Sequence, residues 1–253
     1  MQNLHFEDLG VHRRAALQLI PYVSDPELNH QMKFSKLKSS RSFHFISKDK
    51  ITLSGGYRIC RTTRFIPFDG NNYYFELTFE RTNDNSHVRF GISTLSAEIE
   101  SSVGYDEYGY CVRDKGGAFH CGKEYPSPPF SPGDVIGIGL FPDNDSFAFK
   151  LFINGEDKGV IFDSINPTEF WFPTVSIYEE AVVTADFVRP FQYDPGDSWK
   201  SANDLPRYQT SDLFTSRYLV NVMKGEIPVP KEHEKEIMDA MDVALIPSHI
   251  MPI

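Results

Sequence analysis

Between residues 43 and 195 the chain reads as one short strand after another, and this pattern limits its fold more than any other feature. In NNYYFELTFE, Tyr73, Phe75, Leu77 and Phe79 fall on one side of an extended chain, and Tyr74, Glu76, Thr78 and Glu80 on the other. HVRFGIS sets Val88, Phe90 and Ile92 against His87 and Arg89. DVIGIGLF alternates Gly137 and Gly139 with Ile136, Ile138 and Leu140. Glycine in a strand predicts that a bulky side chain or another backbone approaches closely there. FAFKLFINGEDKGVIF carries Asn154-Gly155 between two apolar runs, a hairpin signal, and FWFPTVSIY and AVVTADFV close the series. No helical periodicity intervenes. Short strands separated by turn residues predict an all-β fold, an antiparallel β-sandwich of two sheets. The 21 Phe and 12 Tyr supply the large side chains that such a core requires.

The flanks differ. Residues 1–44 read as an N-terminal arm or connector, with Arg13–Tyr22 as a short helix or an irregular stretch. Lys33, Lys36, Lys38 and Arg41 make part of this arm basic. Its two readings are a solvated connector and a weak, salt-sensitive DNA contact. The sandwich is expected over residues 45–195, followed by a C-terminal extension over 196–253 with amphipathic helices at about 211–224 and 232–246. In the first helix Phe214, Tyr218 and Val222, beside Leu213 and Leu219, make an apolar stripe at helical spacing. In the second, Ile237, Met241 and Leu245 align. Such stripes either pack on the sandwich or dock a partner.

A formal charge of -10 opposes a broad nucleic-acid surface, so any anion must meet a local basic patch. Cys60, Cys111 and Cys121 are too few for a disulfide framework or a cysteine-rich zinc finger, and point to a reducing compartment. MQNLHFEDLG lacks the basic start and apolar run of a secretion signal, and no window nears the roughly 18 apolar residues of a membrane span. The expected location is cytosolic or nuclear.

The densest chemistry lies in SVGYDEYGYCVRDKGGAFHCGKEY (residues 102–125). His120 and Cys121 invite a nucleophile-and-base reading, yet neighbours on a strand point to opposite faces. No G-x-S-x-G, P-loop or H-E-x-x-H motif occurs. The acids Asp143/Asp145 and Glu179/Glu180 read as turn residues rather than a calcium loop or a hydrolase pair. The sequence thus predicts no catalytic site, cofactor, metal or small-molecule substrate. Arg89 and Arg113 each lie opposite apolar strand neighbours and so point outward if those neighbours face the core. Guanidinium forks match carboxylates, and tyrosines add rigid contact area.

FDGNNYYFELTF, VRFGIS, GYDEYGY, SPGDVIGIGL, KLFINGEDKGV and FWFPTVSIY resemble, in order and spacing, the run of motifs of SPRY domains, over roughly residues 45–190. GGYRICRTT and VGYDEYGYCVRDKGGAFH resemble more narrowly the SPRY domain of the Ash-two/Bre-two family, in a short form without that family's PHD-like finger and winged helix. The resemblance implies a concanavalin-like SPRY sandwich and a nuclear, non-catalytic subunit of a Set-domain methyltransferase complex acting on lysine four of histone three. It implies an acidic-peptide pocket at Tyr57, Arg89, Tyr105, Arg113 and Lys115 for a retinoblastoma-binding-protein-five (Swd-one) subunit. It also implies that the helix with Leu213, Phe214, Tyr218, Leu219 and Val222 binds a dumpy-thirty (Sdc-one) dimer. Where the family often has Pro-Leu before GYD, this chain has Ser102-Val103. The competing expectations are a generic SPRY adaptor, such as a ubiquitin-ligase substrate receptor, and a carbohydrate-binding sandwich.

Overall fold

The computed structural model describes residues 26–27, 30–67, 69–167 and 169–204. The chain divides into two units, residues 30–205 and the terminal stretches 1–29 with 206–253, and the fold below is that of the first. Both expected C-terminal helices, with Leu213, Phe214, Tyr218, Leu219 and Val222, fall outside the described residues, as does Arg13–Tyr22.

All regular structure among the described residues is extended, as the alternating pattern predicts. One sheet contains β1 (His44–Phe45), β2 (Lys50–Leu53), β4 (Asn72–Arg81), β9 (Ile136–Asp143), β10 (Ser146–Ile153), β11 (Glu156–Ile165), β13 (Ala181–Asp186) and β14 (Trp199–Ser201). Its order is β1-β2-β13-β4-β9-β10-β11, with β14 beside the first half of β4. The other sheet contains β3 (Arg58–Arg61), β5 (His87–Ser93), β6 (Gly109–Arg113), β7 (Ala118–His120), β8 (Lys123–Tyr125) and β12 (Phe172–Tyr178), in the order β3-β12-β5-β6-β7-β8. Every pairing is antiparallel except β14 with β4.

The inward-facing residues are those that the alternation selects. Tyr73, Phe75, Leu77 and Phe79 of β4 meet Val88, Phe90 and Ile92 of β5 in one buried core, with Phe147, Phe149 and Leu151 from β10. Aromatic rings there meet mostly edge to face, as Phe79 does with Phe90 and Phe130. Asn154 and Gly155 have φ of 51° and 79°, the double left-handed geometry of a two-residue hairpin turn between β10 and β11. Asp143–Ser146 is likewise a hairpin turn, between β9 and β10.

The outer face of the larger sheet carries a second apolar cluster of Tyr74, Phe152 and Phe191, with Trp199 packed on it. It explains the glycines of β9: a Cβ at Gly137 would lie 2.6 Å from the Tyr74 ring, and one at Gly139 2.5 Å from the Trp199 ring. The strap that brings Phe191 and Trp199 here is tied down by a buried carboxylate. Glu76 accepts the backbone N–H groups of Gln192 (2.8 Å) and Tyr193 (2.9 Å) and the Tyr74 hydroxyl (3.1 Å). Burial pushes the Glu76 carboxyl up from its ordinary value, partly offset by those three donors.

Two parts of the fold lie outside the periodic run. Met32 and Phe34 belong to the core, and Phe34 bridges to Thr62, so the folded unit begins well before residue 45. The polar stretch after Phe191 returns to the sheet as β14. Gly139→Ala is therefore expected to destabilise by about 1–3 kcal/mol through overpacking against Trp199. Glu76→Ala should cost about 2–4 kcal/mol, because two backbone donors lose their acceptor. Urea denaturation monitored by Trp fluorescence measures both.

Candidate protein-interaction site

The register of three strands builds the site. Arg89 of β5 stands directly opposite Arg113 of β6, and Cys111 of β6 opposite Phe119 of β7. Side chains alternate along a strand, so Arg113, Cys111 and Phe119 share the outer face, away from the core that holds Phe90 and Val112. Phe119, only 8% exposed, joins Ile59, Ala97, Val103 and Cys111 in a small cluster of its own. Both guanidinium groups lie against this one ring, Arg89 at 4.2 Å and Arg113 at 4.7 Å from its centroid. Cation–π attraction to a shared ring offsets the repulsion that two like charges on facing strands would otherwise suffer.

Each arginine is further fixed by backbone carbonyls. Arg89 donates to the Val103 carbonyl (3.1 Å), and Arg113 Nε donates to the Gly116 carbonyl (3.0 Å). Arg113 also pairs with Glu124 at 3.2 Å, whereas Arg89 has no carboxylate partner among the described residues. Its Nε is buried without an acceptor. The adjacent acid, Asp114, is unavailable, since it is fully buried between Arg81 (3.0 Å) and His87 (3.2 Å). An excess of positive charge therefore remains on this face of an acidic protein.

Tyr57 extends the aromatic surface. Its ring lies 5.2 Å from the Arg89 guanidinium and 5.1 Å from the Tyr178 ring, and Tyr178 in turn stacks on His87. Burial raises the Tyr57 phenol above its ordinary value, while Arg89 beside it pulls the other way. Tyr105 is 63% exposed in the loop before β6. Cys121 N–H donates to Asp106 and Gly122 N–H to Gly104, which seats that loop on the tip of the β7–β8 hairpin. At Gly104 (φ 81°) a Cβ would come within 2.5 Å of the Phe119 carbonyl oxygen and 2.9 Å of its Cβ, so the GYD turn lies tight against the Phe119 backbone. Lys115 is exposed in the β6–β7 turn.

The structure thus brings Arg89 and Arg113 together on Phe119 and sets Tyr57 against Arg89, with Tyr105 in the loop before β6 and Lys115 in the β6–β7 turn. Phe119 and Glu124 are missing from the residues singled out by sequence. The hairpin register, with DKGG as its turn, is the signal that places Phe119 on the face of Arg113. Val103, where the family often has leucine, is fully buried, and its carbonyl accepts from both Arg89 and the Cys111 thiol (3.0 Å).

The basic arm is only partly available to a partner. Lys36 and Arg41 are exposed and Lys33 half-buried, but Lys38 is buried, its ammonium donating to the Thr63 carbonyl at 3.0 Å. Lys38 is therefore withdrawn from any DNA contact, because its charge is spent inside the fold. His120 and Cys121 do not form a dyad. The His120 ring stacks on Tyr110 at 3.8 Å and contacts the Gly109 carbonyl, while Cys121 turns outward at the hairpin tip with φ 53°. Among the described residues no group of His, Cys, Asp and Glu could hold a metal ion.

The SPRY-domain family matches residues 72–189. The chain is similar to "Set1 complex component ash2" of Schizosaccharomyces pombe, 35% identical over 105 residues, covering 38% of this chain and 15% of that protein. To "Set1/Ash2 histone methyltransferase complex subunit ASH2" of Drosophila melanogaster it is 26% identical over 194 residues, covering 58% and 34%. To "Ran-binding protein 9" of Xenopus laevis it is 31% identical over 152 residues, covering 56% and 26%. The match thus spans between 15% and 34% of these relatives' length. Among solved structures the SPRY domain of human HERC1 superposes with a TM-score of 0.53 at 18% identity, covering 62% of this chain and 99% of that one, a likeness of fold.

Burial pushes the thiols of Cys60 and Cys111 up to about 12. A thiol reagent at neutral pH is expected to label Cys121 alone, with the other two reacting only after unfolding, as mass spectrometry would read. Unfolded thiols ionise first, so this contribution to stability is complete below the ordinary value of 9.0 and is lost as pH rises toward 12.

Proposed function

We propose, from the match of residues 72–189 to the SPRY-domain family, that the chain acts as an interaction subunit rather than an enzyme, within a Set-domain histone methyltransferase complex of the nucleus. The observation that carries this reading is the pair of arginines on one phenylalanine, one of them without a carboxylate partner among the described residues, on the GYD…R-x-K motif that resembles the Ash-two/Bre-two family. The likeness to relatives named as Set1 complex components supports it.

The ligand of this face is a short acidic segment with an aromatic residue, supplied by a retinoblastoma-binding-protein-five-like subunit. Its carboxylates take the free donors of Arg89 and Arg113 and the ammonium of Lys115, and Tyr57 and Tyr105 flank its side chains. By holding that segment in one conformation, the domain favours the active arrangement of a methyltransferase domain supplied in trans. A dumpy-thirty-like dimer takes the segment Leu213–Val222, whose apolar residues recur at helical spacing in the sequence, and Lys33, Lys36 and Arg41 add weak, salt-sensitive contact with nucleosomal DNA.

A second reading has a specific observation in its favour: the likeness to "Ran-binding protein 9", at 31% identity, falls between those to the two Set1 complex relatives. As a generic SPRY adaptor the domain would bind peptides without needing Arg113 or Lys115.

Calorimetry with an Asp/Glu-rich peptide carrying one aromatic separates the two. Arg89→Ala and Arg113→Ala are each expected to weaken binding by about 1–3 kcal/mol, roughly 5- to 150-fold, at the low end of desolvated ion pairs because Arg113 stays 28% exposed. Undiminished binding by both variants would favour the generic adaptor. In a reconstituted methyltransferase assay the same variants should lower stimulation at limiting subunit and recover it at excess, the signature of lost assembly rather than lost chemistry.

A further inference from the structure

We infer that Glu124 is a built-in competitor for the arginine site, a carboxylate of the domain's own that a ligand must displace. The inference rests on the acidic-peptide reading and names the residue that sets its threshold.

Arg113 has two of its donor directions occupied in the free domain, Nε by the Gly116 carbonyl and Nη2 by Glu124 Oε1 at 3.2 Å. The first is a backbone contact within the β6–β7 turn and keeps the guanidinium pointing along the sheet. The second comes from β8, the last strand of the sheet, where all three residues are exposed. Glu124 stands opposite Phe119 in the β7–β8 register, so the residue that carries the two arginines and the residue that pairs with one of them are cross-strand partners.

A second observation shows that the fold makes room for this contact. Gly117 has φ 80°, and a Cβ built there would overlap the Glu124 carboxylate, with Glu124 Cδ at 3.0 Å and Cγ at 3.1 Å. The Glu124 side chain lies across the bare backbone of Gly117 to reach Arg113. Any other residue at 117 would push it away. The glycine serves the carboxylate as well as the turn.

The magnitude is what suits a gate. Glu124 is 56% exposed in its side chain and Arg113 28%. An exposed pair of this kind is worth little and is screened by salt. It is strong enough to fill the site when no ligand is near and weak enough for a ligand with two carboxylates, one on Arg89 and one on Arg113, to displace it. A ligand with a single carboxylate engages Arg89 and leaves Glu124 in place. The cost of displacement therefore falls on ligands that reach Arg113, and a ligand that engages Arg89 alone escapes it.

Calorimetry on the full chain tests this, with a peptide bearing two adjacent glutamates and an aromatic and with its counterpart in which one glutamate is glutamine. Glu124→Gln is expected to tighten the doubly acidic peptide about two- to five-fold at low salt and the singly acidic one less, with the gain shrinking near roughly 0.5 M salt. In an Arg113→Ala background the same substitution should bring no gain. Glu156→Gln, which removes an equal charge from a residue paired with Lys158 on the other sheet, should leave binding unchanged. Binding that depends on Arg113 but does not tighten in Glu124→Gln overturns the gate and leaves the acidic-peptide reading standing. An equal gain from Glu156→Gln also overturns it, since net charge would then be the cause. Wild-type chain that binds neither peptide overturns the reading and the gate together.

Discussion

Two positive side chains face each other across neighbouring strands, and the site follows from how the fold makes that tolerable. Arg89 and Arg113 are register partners, an arrangement that is unfavourable in itself. What holds them is the Phe119 ring between them and a carbonyl for each, from Val103 and Gly116. The ring must be buried on its far side to stay in place, which requires Val103 and Cys111 beneath it and Gly104 alongside it. The loop of residues 94–108 therefore covers the outer face of the smaller sheet for the sake of one aromatic plate. The arrangement concentrates positive potential on a protein whose net charge is strongly negative.

The alternating strands were legible because each pits a large apolar face against a polar one, and a slip of one residue would invert it. The core partners Phe75, Phe79 and Phe90, the Asn154-Gly155 turn and the crowded glycines of β9 all follow from that pattern. The outward direction of Arg89 and Arg113 follows from it as well. Residues 30–43 did not show themselves, because their burial rests on isolated anchors, Met32, Phe34 and Phe43, among serines and lysines. Lys38 misleads in the same way: a lysine in a polar run reads as solvated, and only tertiary contacts with Thr63 and Phe172 bury it. β14 was hidden by its shortness and by its parallel pairing, which needs no hairpin turn to announce it.

Phe119 and Glu124 illustrate a different limit. Each lies within the motif-bearing stretch, yet neither type is distinctive alone. Their roles come from pairing across the β6–β7 and β7–β8 hairpins, which puts residues six to eleven positions apart on one face. A strand pattern gives the face of each side chain, while register gives its neighbours. Sites made of cross-strand neighbours are therefore half-visible in sequence: the charged members can be read, and the ring that organises them has to be seen.

The tie at Glu76 has a mechanical meaning. It joins the strap after β13 to the outside of the larger sheet through two backbone N–H groups, and that strap leads into β14 and on to Asp204, the last described residue. The arginines occupy the outside of the other sheet, across a packed core about 10 Å thick. Asp204 and the two arginines thus stand on opposite layers of one packed unit. Between those two points lies nothing but interlocked side chains. The sandwich therefore fixes direction as well as distance from one layer to the other, as a solid spacer does.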